Sequence, residues 1–207
     1  LKFFSLKISF LNITFTQSVG LIAYPITFLV TDIVSEIYGK KKANFLVISG
    51  IISSIVVLCL IFIADFLPAA NWSIPENKKV DDEIFHLVFG QFGIAMAASL
   101  FTYLVCQLID IRIFHFWKKL TKGKHLWLRN NFSTITSQLV DTFLILFLLM
   151  SLSPEEGLQN WSDLKKLFFN GFLFKILVAL IDTIPLYLLV NLLRKKFNLK
   201  QGEEVKL

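Results

Sequence analysis

Six ionisable residues, Asp32, Glu36, Asp110, Asp141, Lys175 and Asp182, lie inside runs of the chain that are otherwise apolar. Insertion scales charge about 2.5 to 3.5 kcal/mol for an Asp or Lys near the centre of a membrane-spanning helix, so such a residue marks a site, a relay or a structural pair. Asp32 and Glu36 are four residues apart and share a helix face. Glu36 is close to the end of its run, where it either reaches the interface or a local partner, or joins Asp32 in a site. Gln107 and Asp110 are three apart near the end of a second run, and Gln138 and Asp141 repeat that spacing more deeply in a third. Counting from Asn131, Asp141 lies about 15 Å into its run, close to a bilayer midplane, and is the leading candidate. Lys175 and Asp182 are two turns apart on one face. They either neutralise each other through an intermediary or pair with acids on other helices, and a purely structural ion pair stays open. Carboxylates and amides gathered at one depth are suited to gripping a small polar solute.

The elements that must position these groups follow from composition. Hydrophobic residues make up 55% of the 207 and charged residues 17%, with mean hydropathy +0.66. One soluble core cannot hide that excess, so lipid must cover it. A helix crossing the bilayer needs roughly 20 mostly apolar residues. Segments 20–38, 43–67, 87–113, 131–152 and 167–193 meet that test. Residues 1–17, interrupted by Lys2, Lys7 and Asn12, read as the end of a first helix. The expected fold is therefore an all-α integral membrane protein, a six-helix transmembrane bundle whose first helix is truncated. Pro25 and Pro185 should each remove a helix hydrogen bond and free a carbonyl inside the bundle. Six helices also allow an inverted three-plus-three repeat, and Thr27–Asp32 shares a local pattern with Ser137–Asp141. The start at Leu1 has no methionine, basic region or cleavage site of a signal peptide, and reads as truncated or processed.

The net charge of +6 does not point to nucleic acid, because the basic residues cluster at the ends of apolar runs. Lys40 to Lys42, the loop holding Arg112, Lys118, Lys119, Lys122, Lys124 and Arg129, and Arg194 to Lys196 alternate with acid-rich loops. The basic side is cytoplasmic by the positive-inside rule, which puts both termini there. Trp72, Trp117, Trp127 and Trp161 fall at expected interfaces. Cys59 and Cys106 lie in apolar segments without metal-ligand spacing and read as packing residues. Neither a metal nor a cofactor is expected. An intramembrane aspartyl protease would need a Tyr-Asp or Gly-rich Asp motif, and a nucleotide hydrolase a phosphate-cradling glycine loop; the sequence has neither, and no enzyme is expected.

Four segments in order, Tyr24 to Ala43 (YPITFLVTDIVSEIYGKKKA), Phe101 to Phe116 (FTYLVCQLIDIRIFHF), Leu126 to Thr142 (LWLRNNFSTITSQLVDT) and Phe174 to Tyr187 (FKILVALIDTIPLY), resemble the queuosine precursor transporter family, also called the vitamin uptake transporter family. The resemblance extends over essentially the whole chain. It implies a single transmembrane transporter domain over 1–207, in the bacterial inner membrane, importing 7-deazaguanine bases: the cyano and aminomethyl precursors, or queuine. Its partners would be that small molecule and the lipid bilayer, and a homodimer stays open. The positions that match the family's polar motifs are Asp32 and Glu36, Gln107 and Asp110, Arg129 and Asn130, Gln138 and Asp141, and Lys175. Asp182 is less typical of it. A guanine-like base offers adjacent N–H donors that one carboxylate can accept, and a carbonyl that needs a donor such as Gln or Lys. The alternative is a membrane subunit that captures a vitamin-like ligand for a separate ATP-driven module.

Overall fold

The computed structural model describes residues 3–8, 13–18, 23–70, 80–90, 93–152 and 161–205. Strands β1 (Phe3–Ile8) and β2 (Ile13–Ser18) precede helices α1 (Tyr24–Ile37), α2 (Lys40–Phe66), α3 (Asp82–Phe89), α4 (Gly93–Leu120), α5 (Leu126–Leu152) and α6 (Trp161–Phe197). Within α2, α4, α5 and α6, the stretches Lys40–Phe66, Met96–Leu120, Leu126–Leu148 and Phe168–Phe197 are long and apolar enough to cross a membrane. α1, at 14 residues, is about 21 Å long and shorter than the roughly 30 Å hydrocarbon layer.

Within residues 1–17, expected as the end of a helix, the described stretches are strands. β1 and β2 pair antiparallel, with Leu6 opposite Phe15 and Ile8 opposite Ile13, while Lys7 meets Thr14 and Ser5 meets Thr16. From Ser5 to Ile8, apolar and polar residues thus alternate in step with Ile13 to Thr16 across the pair. This period of two, together with β-branched Ile13, Thr14 and Thr16, favours strand over helix. Buried Phe15 packs with its ring tilted against Phe174 of α6, ring centres 5.6 Å apart.

The long helices also depart from the expected limits. The segment 87–113 is divided between α3, which ends at Phe89, and α4, which continues to Leu120. Asp81 starts α3 by accepting a hydrogen bond from the Ile84 N–H at 2.9 Å, an N-cap that the acid-rich connector supplies. Arg112, Lys118 and Lys119 consequently lie on α4 and not in a loop. Pro25 sits in the first turn of α1, where no internal hydrogen bond is lost, whereas Pro185 is inside α6. Trp127 is exposed, and Trp117 packs with its ring tilted against Phe132 at 5.1 Å between ring centres. Trp72 lies outside the described residues.

α4 and α5 form the most extensive helix pair, α6 packs on α5, and α1 lies against α6, α2 and α4. Ile37, Phe114, Leu126, Leu186 and Val190 form one apolar cluster where α1, α4, α5 and α6 meet; Ala43, Val47 and Ile111 form a second between α2 and α4. Most of α2 is exposed apolar surface, including Phe45, Ile52, Val56, Leu60 and Ile63, a face for lipid. α1 passes to α2 through Tyr38 and Gly39, whose φ of +81° lies in the left-handed region that glycine adopts without strain. After α6 the chain folds back, and the Val205 N–H donates to the Ile37 carbonyl at 2.8 Å.

Candidate functional site

Seven buried polar residues of α5, Asn130, Ser133, Thr134, Ser137, Gln138, Asp141 and Thr142, recur at steps of three and one. That spacing draws a polar stripe along one helix face. The stripe meets acids and bases of α1, α4 and α6 in three groups, one above another.

The first group lies between α1, α5 and α6. A small cavity of about 20 Å³ is lined by Tyr24, Pro25, Phe28, Thr134, Gln138, Phe174, Lys175, Val178, Ala179 and Asp182. It has room for about one water. Lys175 pairs with Asp141, and its ammonium also donates to Thr142 Oγ1 at 3.3 Å and lies 5.1 Å from the centre of the Tyr24 ring. The Tyr24 hydroxyl faces Asp141 and Gln138. Lys175 therefore pairs across helices, not with Asp182, and Asp182 is left facing the cavity. A roomier hollow, about 130 Å³, lies at the α2–α3 corner between Asp65, Asp81 and Asp82, away from the buried polar stripe.

The second group is a carboxyl pair. Asp32 of α1 and Asp110 of α4 are buried and face each other within hydrogen-bonding reach. α5 supplies hydroxyls around them: Ser137 Oγ donates to Asp110 Oδ1 at 3.1 Å, Ser133 reaches Asp110, and Thr134 faces both carboxyls. Asp32 Oδ1 and Asp110 Oδ2 are buried without a donor, and among the described residues no cation pairs with either acid. Gln107, one turn from Asp110, is fully buried with neither amide atom hydrogen-bonded.

The third group closes the end of the bundle. Fully buried Glu36 pairs with Arg129 of α5 at 2.6 Å, with Arg194 of α6, and with Lys118 of α4 at 3.7 Å. Lys118 also donates to the Glu36 carbonyl at 2.9 Å and to Glu204 Oε1 at 2.9 Å. Arg129 donates to the Lys124 carbonyl at 3.1 Å and lies 5.5 Å from the centre of the Phe114 ring. One carboxylate thus ties three helices to α1, and the returning tail is drawn in through Glu204. Of the two readings of Glu36, the structure supports the locally paired acid.

The nine candidate residues are all buried, but they do not form one site. Gln138 and Lys175 line the cavity with Asp141 behind Lys175, Asp32 and Asp110 pair, Glu36 and Arg129 join the ionic knot, Gln107 stands apart, and the Asn130 carbonyl accepts from Ser133 at 3.1 Å. Tyr24, Thr134, Ser137, Lys118 and Arg194 enter these groups without having been singled out. The hydroxyls carried a signal, since they continue the stripe that Gln138 and Asp141 begin. Lys118 and Arg194 did not, because terminal basic residues mark topology equally well.

A sequence profile described as "Putative vitamin uptake transporter" matches residues 18–189. The chain belongs to this family. The matched stretch holds every residue of the first two groups and stops short of Arg194 and Glu204. The chain is also similar to a "Probable queuosine precursor transporter" of Haemophilus influenzae, 25% identical over 197 residues, which is 94% of this chain and 77% of that relative. A protein of the same description from Bacillus subtilis is 27% identical over 130 residues, 62% of this chain and 54% of that relative. No solved structure matches the chain. Family and helices together describe a multi-pass membrane transporter.

Proposed function

We propose that this protein imports queuosine precursors, 7-deazaguanine bases, across the bacterial inner membrane, and that the base binds between α1, α5 and α6. The observation that carries this reading is the convergence of Gln138, Lys175, Asp182 and, behind Lys175, Asp141 on one cavity with aromatic walls from Tyr24, Phe28 and Phe174. A flat base stacks on such walls while its edge is read by a few polar groups. The carbonyl takes a donor from Gln138 or Lys175, and the adjacent N–H groups take Asp141 or Asp182. The base then replaces the internal Lys175–Asp141 pair with two contacts of its own, so the charges stay partnered as it enters. A cavity of about 20 Å³ is too small for two fused rings, so loading requires α1 to part from α5 and α6.

The basic ends of α4 and α6 gather around Glu36, and this end faces the cytoplasm. α2, α4, α5 and α6 then make four passages that leave the C-terminal end of α6 inside, and the shorter α1 adds a partial one. The likeness of Thr27–Asp32 to Ser137–Asp141 fits an inverted repeat. Replacing Asp141 by Ala should abolish uptake of labelled 7-deazaguanines while leaving the protein in the membrane fraction. Uptake at the wild-type rate would refute the site. Uptake into liposomes by the purified protein alone separates a carrier from a capture subunit that needs an ATP-driven partner.

A further inference from the structure

We infer that Asp32 and Asp110 form a proton-binding site, separate from the base pocket, which must be protonated for the helices to close around it. Two carboxylates in contact and out of water repel each other and cannot both be ionised without a cation. Among the described residues no cation pairs with either acid, and Lys175 of α6, which with Asp141 also lies near Cys106, is held by Asp141. α5 offers the hydroxyls of Ser133, Thr134 and Ser137. α6 presents another acid, Asp182, and α4 adds the Cys106 thiol one turn from Asp110. α1 carries Glu36 one turn from Asp32, already held by Arg129, Arg194 and Lys118. α2 lays apolar Ala43 and Val47 beside the adjoining Ile111. Each carboxyl also keeps one buried oxygen without a donor, and Thr134, 5% exposed, faces both acids with its Oγ1 making no hydrogen bond. One proton shared across the two acids gives both oxygens a hydrogen bond and halves the buried charge.

The proton enters from water when α1 and α4 separate, is trapped as they close, and returns to water when they reopen on either side. Thr134 lines the base cavity as well, so the proton site adjoins the base site without being part of it. Protonation on this view permits closure in both directions, loaded or empty, and is not itself an energy source.

The transport arm rests on the reading of the chain as a deazaguanine carrier, and the second arm does not. In proteoliposomes at equal inner and outer pH, equilibrium exchange of a labelled 7-deazaguanine by wild type should fall about tenfold per pH unit once the pair loses its proton. Asp110→Asn and Asp32→Asn, which imitate the protonated acid, should flatten that fall and exceed wild type at least tenfold at the alkaline end. A variant that keeps the wild-type profile overturns the proposal. Wild type that exchanges no base at any pH defeats the carrier reading alone. The second arm then decides: infrared spectra of the purified wild-type protein should show a protonated carboxylic-acid band that titrates and is lost in each Asn variant. Absence of that band in wild type, or its persistence in both variants, overturns the proton site whether or not the variants transport.

Discussion

Asp32 and Glu36 sit one turn apart on α1 and both are buried, yet Glu36 is met by three cations from three other helices and Asp32 by another acid. The same chemical group, a carboxylate, changes one turn along from a fastener to a separable contact. At Glu36, removing any one helix strands charges in a dry place, so the end of the bundle is held shut. Asp32 and Asp110 have no cation partner among the described residues, and on the proton-site reading they part when their proton is lost. The contrast places rigidity at the basic end and freedom around the cavity, the distribution a carrier needs if its helices are to part about a central solute.

The contrast can be broken by mutation, and the largest effect should come from Glu36→Ala. With no carboxylate, Arg129, Arg194 and Lys118 are left crowded, and a loss of about 3 to 5 kcal/mol is expected. Thermal unfolding of the purified protein in detergent measures it, and an unchanged midpoint would show that the knot fastens nothing. Next comes Lys175→Ala, which leaves Asp141 buried alone and should lower stability by about 3 kcal/mol. Adding Asp141→Ala should restore most of that loss, a non-additivity that a double-mutant cycle reads directly. Gly39→Ala should lower stability by about 1 to 2 kcal/mol, because a Cβ there meets a strained backbone and the Glu204 carboxylate together. The smallest effect sharpens the contrast by its sign: Asp32→Asn should raise the unfolding midpoint slightly, by under about 1 kcal/mol, since it relieves two facing acids. A marked fall there would mean that the pair binds α1 to α4 as firmly as the knot does.

Much of this organisation was legible before any coordinates. Apolar runs gave α2, α4, α5 and α6, and the spacing of Gln138 and Asp141 put both on one face of α5, where Gln138 lines the cavity. Partnership was not legible. Helical spacing relates residues on one helix, whereas Asp141 meets Lys175 thirty-four residues on and Glu36 meets Arg194 across 158. The i, i+7 relation of Lys175 and Asp182 left open whether the lysine meets that acid or one on another helix, and packing of α5 on α6 gave it to Asp141. The hairpin was missed for a different reason: overall apolarity outweighed the period of two between Phe3 and Ser18. Pro25 misled because a proline's meaning depends on whether a helix begins before or at it.

Only Tyr38 and Gly39 separate α1 from α2, and that short corner has a mechanical consequence. With no slack at the joint, α1 cannot slide along its axis like a piston; it can only swing. Asp32 lies seven residues from Gly39, a lever arm of roughly 10 Å, so a tilt of about 10° carries its carboxyl nearly 2 Å sideways. The far end of the same helix, where Tyr24 and Phe28 wall the cavity, sweeps further still. A single glycine pivot thereby turns one small rotation into two graded openings, narrower at the acids and wider at the pocket.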